Sequence, residues 1–156
     1  AERETTFEQD SPHDMLDAVD HHYSRLPARI RTMDMMTAVK TVLGKYATFS
    51  GRATRPEYWW WVLATIILYI ILGVIDGALV APMMGHESFA PDAVQPLSVI
   101  ASLALLLPNL AVAVRRLHDT DRSGWWLLIS FIPIIGTLVL IYFLALRGTQ
   151  GSNRFG

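Results

Sequence analysis

Apolar positions in this chain run in long blocks instead of alternating with polar ones. Tyr58 to Ile75, Leu97 to Val114 and Trp125 to Leu146 contain no charged side chain. A helix of about eighteen residues rises about 27 Å, close to the ~30 Å hydrocarbon core of a bilayer, so each block predicts a membrane-crossing helix. The first opens on the aromatic belt Tyr58-Trp59-Trp60-Trp61 and extends to about residue 80. In the third, the Leu, Ile, Val and Phe residues favour insertion by about 4–8 kcal/mol before polar positions are counted. Pro133 and Gly136 near its middle predict a bend, and the block is too short to cross twice, so one bent span is expected.

Two segments ahead of the blocks show helical periodicity instead of continuous apolarity. Met15, Leu16, Val19, Tyr23 and Leu26 recur at helical spacing behind Ser11-Pro12, predicting a helix of about 12–26 that Pro27 ends. Met35, Met36, Val39, Val42, Leu43 and Tyr46 form a second apolar stripe, with Lys40 and Lys45 off it. Such a helix suits the headgroup region, or packs on the protein's own cytoplasmic face. Thr54-Arg55-Pro56-Glu57 is a capping box with proline in the first turn, so it starts the first span. The predicted fold is an all-α integral membrane protein. Three transmembrane helices, at about 58–80, 97–114 and 125–146, follow one or two amphipathic cytoplasmic or interfacial helices. The chain divides into an acidic, partly helical cytoplasmic extension (1–32), an amphipathic helix with its capping turn (33–57) and a three-span domain (58–156).

Composition agrees: 17% of residues are charged, against about 25% in an ordinary globular domain, and mean hydropathy is +0.32. The absence of cysteine excludes disulfides, thiolate catalysis and cysteine-held clusters. The acidic start, with Glu2, Glu4, Glu8, Asp10, Asp14, Asp17 and Asp20 against Arg3, is no secretory signal. Charge also orients the chain. Arg25, Arg29, Arg31, Lys40, Lys45, Arg52 and Arg55 precede the first block, and the 76–96 loop has no Lys or Arg. The positive-inside rule therefore puts the N-terminus and the 115–124 turn in the cytoplasm. Three spans then put the C-terminal tail, with Arg147 and Arg154, in the periplasm, against the same rule.

The candidate site is the pair of charged segments this topology brings to one face: Arg52, Arg55 and Glu57 with Arg115, Arg116, His118, Asp119, Asp121 and Arg122. Arginine's planar fork matches carboxylates and phosphates. The segments are expected to fold together, with Glu57, Asp119 or Asp121 paired to arginines of the other segment. Spare arginines would bind anionic phospholipid headgroups. Asp119-x-Asp121-x-Ser123 starts like a calcium loop, but its twelfth position is Ser130 where a glutamate is required. His118 and its neighbours are too few for another metal, so neither metal nor cofactor is expected. Asn109 and Asp76 are the intramembrane polar residues. Asn109 bonds a neighbouring helix, worth about 1 kcal/mol, or lines a polar pathway with Arg116, seven residues on.

Several motifs carry a family resemblance. Phe49-Ser50-Gly51-Arg52-Ala53-Thr54-Arg55-Pro56-Glu57-Tyr58-Trp59, Pro108 with Arg115-Arg116-Leu117-His118-Asp119, Ser123-Gly124-Trp125-Trp126, Pro133-Ile134-Ile135-Gly136 and the ending Gly148 to Gly156 resemble the YhaH-type family of small bacterial inner-membrane proteins. The resemblance covers roughly 35–156 and implies a multi-pass protein of the bacterial inner membrane. The acidic 1–32 extension departs from the family pattern. The resemblance supplies no activity, cofactor or catalytic residue.

No nucleophile elbow, phosphate loop or zinc-protease motif occurs, so no enzymatic activity is expected. Nucleic acid is disfavoured because headgroup phosphates lie nearer the arginines. The expected function is a non-catalytic accessory or assembly subunit of a larger inner-membrane complex, of the respiratory or photosynthetic kind. Its partners would be other integral membrane subunits, met through its spans and amphipathic helices. The alternative is a homo-oligomeric small-solute transporter or channel, or a lipid-headgroup-binding protein; the absence of an internal repeat weighs against an inverted-repeat transporter.

Overall fold

The computed structural model describes residues 33–156, so the acidic extension and the helix expected over 12–26 lie outside the described residues. Among the described residues every regular element is a helix. α1 is Met35–Gly44, capped by Asp34, whose carboxylate accepts from Thr37 N at 2.6 Å. α2 is Arg55–Ile75. Thr54 caps it by accepting from Glu57 N at 3.3 Å, and Pro56 sits in the first turn. The same rod continues through one π-helical turn, Asp76–Val80, into the short α3, Ala81–Met83. α4 is Pro96–Asp119, followed by a 3₁₀ helix, Gly124–Phe131, and α5, Ile135–Ala145.

Two of these rods, Arg55–Met83 and Pro96–Asp119, are long and apolar enough to cross a membrane. The block expected to be a third span is not one helix. Pro133 has no N–H to donate and forces Ile132 into an extended conformation (ψ 107°), which ends the 3₁₀ helix. Ile134 then adopts φ 63°, a left-handed conformation unusual for a β-branched residue, and reverses the chain. The two arms fold against each other. A Cβ on Gly136 would sit 1.7 Å from the Ile129 carbonyl oxygen, so only glycine allows the approach. Trp126 meets Phe143 edge-on with centroids 5.2 Å apart. At about 2 Å per residue in the 3₁₀ arm and 1.5 Å in α5, each arm is about 16 Å long, half the hydrocarbon thickness. The expectation of one bent helix in place of a tight hairpin is therefore not met: Pro133 and Ile134 turn the block back on itself.

α1 packs on its own chain. Ala38 and Val42 are fully buried, and Val42 joins Ala53, Trp61 and Val112 in the core. Tyr46, just beyond α1, repairs a defect in α4. Pro108 cannot donate to the carbonyl four residues earlier, which is that of Ala104, and the Tyr46 hydroxyl donates to that oxygen. At the far end, Asp76 is fully buried and supplies a cap that α4 lacks. Its carboxylate accepts from Leu97 N (3.1 Å), Ser98 N (2.9 Å) and Ser98 Oγ (2.8 Å), while Gln95, the N-cap residue, makes no side-chain cap.

Candidate functional site

α4 runs five residues beyond its expected end at Val114, carrying Arg115 to Asp119 on its last turns. Arginines can continue an apolar helix if their charge is met from inside, and each residue of Arg115-Arg116-Leu117-His118-Asp119 has an internal task. Arg115 is fully buried and donates from Nη1 to Glu57 Oε1 on α2 at 2.6 Å; its carbonyl accepts from Ala53 N at 2.9 Å. Arg116, also fully buried, donates to the carbonyls of Leu144 (Nε, 2.9 Å) and Leu146, and to the Asp119 carboxylate. It thereby caps the carboxyl end of α5, whose last carbonyls have no partner within the helix. Leu117 is fully buried. His118 faces the Gly51 carbonyl through Nδ1 at 3.2 Å and stacks flat on Phe155, centroids 3.9 Å apart.

Asp119 joins three parts of the chain. Its carboxylate pairs with Arg52 Nε at 2.9 Å and with Arg116, and its carbonyl accepts from Thr149 N at 2.8 Å. Gly148 makes this possible, since a Cβ there would lie 2.0 Å from Asp119 Oδ2. Arg52 uses its other nitrogens on the tail carbonyls of Thr149 (2.5 Å), Gly151 (2.6 Å) and Gly156 (3.0 Å). Asn153 donates to the His118 carbonyl at 2.8 Å. Asp121, itself at φ 58°, pairs with Arg154 at 3.1 Å, and that hydrogen bond first of all holds its carboxyl below the usual carboxylate range. Arg122 lies over the Phe143 ring, 4.3 Å from its centroid, tying the loop to the base of the hairpin.

Of the residues singled out in the sequence, Arg52, Glu57, Arg115, Arg116, His118, Asp119, Asp121 and Arg122 therefore meet at one end of the two rods. Arg55 is exposed on the rim and makes no ion pair among the described residues. His118, Asp119 and Asp121 are drawn to three different partners and do not converge on a common point. Asn109 lies deeper and accepts from Trp61 Nε1 at 2.7 Å, linking α4 to α2. Asp76 is at the opposite end. The tail was the part of the site not foreseen. Expected at the end opposite the charged turn, it lies against that turn, because the hairpin returns the chain to the end it left. The polar, glycine-punctuated run Gly148-Thr149-Gln150-Gly151-Ser152-Asn153 was the available signal.

Residues 46–156 match the family model described as "Protein of unknown function (DUF805)". The chain belongs to that family. It is 47% identical over 116 residues to the inner membrane protein YhaI of Escherichia coli (strain K12), covering 74% of this chain and 89% of the relative. It is 44% identical over 115 residues to the inner membrane protein YhaH of the same organism, with the same coverage of each. The uncharacterized protein YiiR of that strain is 28% identical, covering 70% of this chain and 84% of the relative. No solved structure matches. The resemblance read from the motifs is thus a family membership, and YhaI and YhaH are proteins of the inner membrane.

Proposed function

We propose that this chain is a non-catalytic accessory subunit of a larger bacterial inner-membrane complex, docking through its membrane-embedded surfaces. One observation carries the reading: the charged side chains of the hub are engaged within the fold. Arg52, Arg115 and Arg116 bind Glu57, Asp119, the end of α5 and the tail, all within the chain. What remains for other molecules is the apolar flanks of the two long rods, of which little is covered by the chain itself. In this proposal α2–α3 and α4 cross the bilayer and the 124–145 hairpin enters and leaves it from the hub side. Arg52, Arg55, Arg115, Arg116, Arg122, Arg147 and Arg154 all belong to the hub end, and the loop between the rods has no Lys or Arg. The positive-inside rule then assigns hub, α1 and tail to the cytoplasm.

Extraction in a mild detergent followed by native mass spectrometry tests the subunit role. A fixed stoichiometric assembly with other integral membrane proteins is the expected result. A bare monomer under conditions that keep known complexes of the same membrane intact would defeat it.

A further inference from the structure

We propose that a groove between α1, α2 and α4 holds one acyl chain of a glycerophospholipid from the hub-side leaflet, with Lys40 on its phosphate. The groove encloses about 140 Å³ and is walled by Val39 and Leu43 of α1, Trp61, Ala64 and Leu68 of α2, and Leu105 of α4. Its polar wall groups are already engaged. Thr65 Oγ1, also in the wall, donates to the Val62 carbonyl at 2.8 Å, and Trp61 Nε1 to Asn109. The face towards the space is almost wholly carbon, so water finds little to bond there. The volume suits a stretch of methylene chain.

Depth and charge select the same occupant. Trp61 to Leu68 lie about 6–17 Å along α2 from Glu57, the depth of acyl carbons below a headgroup plane at the hub. Lys40 follows Val39 by one 100° step of α1, on the flank beside the groove. It is exposed and forms no ion pair among the described residues. A lysine in this position lays its stem along apolar surface and carries its ammonium to the phosphate level. The inference rests on the proposed bilayer crossing of α2 and α4 but not on the subunit role: the site works in a monomer or in a complex.

The test uses the full chain in dodecyl maltoside, with bound lipid counted by native mass spectrometry after addition of dioleoyl phosphatidylglycerol or of uncharged dioleoylglycerol. The wild type is expected to retain the phospholipid. Ala64→Phe, which fills the groove, should lose both ligands; Leu105→Phe repeats the check should the first variant fail to fold. Lys40→Gln should weaken phosphatidylglycerol about fivefold and leave uncharged dioleoylglycerol unchanged, because a basic residue near the surface contributes about 1 kcal/mol to anionic lipid binding. Phospholipid retention equal in the wild type and a folded groove-filled variant overturns the site. Lys40→Gln without effect, or with equal effect on both ligands, overturns the phosphate contact.

Discussion

Arg116 shows how one side chain can hold several segments together. Its planar group serves the Asp119 carboxylate and two carbonyls at the end of α5 at once. Lysine has a point charge in place of that fork, so Arg116→Lys is expected to lose most of the stabilisation although the charge is kept. Glu57 is the sharper case. Among the described residues Nε and Nη2 of Arg115 are buried without an acceptor, and Glu57 is the guanidinium's one side-chain partner. Glu57→Ala should cost about 3–5 kcal/mol, the penalty for stranding a buried charge, read as a lowered unfolding midpoint in detergent. An unchanged midpoint would mean the pair is not formed.

The Asp121–Arg154 pair makes a prediction about pH at the same scale. The folded pKa of Asp121 is depressed, so its contribution is complete above the unfolded value near 3.9 and disappears as pH falls through the folded one. Protease access to the tail should therefore rise on acidification below about pH 4. Asp121→Asn should show elevated access already at neutral pH and a smaller rise on acidification. An acid response identical to that of the wild type would remove Asp121 as its source.

Among the elements, the hairpin separates the two topologies. On a straight helix, positions 126 and 143 would be about 25 Å apart; here their rings touch. Cysteines at those positions, in a chain with none of its own, should be joined by a short bis-maleimide. Gly136→Leu should reduce the yield by driving a side chain into the Ile129 carbonyl. No cross-link in the otherwise unchanged chain would restore the single bent span. The break was half legible: Pro133 and Gly136 indicated a bend. Its sharpness depends on the left-handed Ile134 and on arm-to-arm packing, which periodicity does not record. α4 carries a similar lesson. Pro108 was visible as a defect, but its repair by Tyr46 needed α1 to be packed on the rods.

For the whole molecule, the hairpin decides where the tail lies. With Ser88→Cys and Gln150→Cys variants, an impermeant maleimide applied to intact cells with a permeable outer membrane should label position 88 only. Position 150 should react after the inner membrane is opened. Labelling of 150 in intact cells would return the tail to the periplasm and dissolve the proposed cytoplasmic hub, although the tail–hub contacts would then need another explanation.

Membrane character, the two long apolar rods, the Thr54 cap and the family were all written in the linear chain, because length, hydropathy and short capping motifs act over a turn or a few turns of helix. The meeting of Glu57 with Arg115, and of Arg52 with Asp119, follows from two charged segments sharing one end of the rods, and could be expected once the first two helices were placed. The return of the tail, the capping of α5 by Arg116 and the capping of α4 by Asp76 depend on contacts between residues some twenty to a hundred positions apart. Those contacts arise where backbone groups left unpaired at one helix end meet a side chain from another element, and only the folded arrangement decides which.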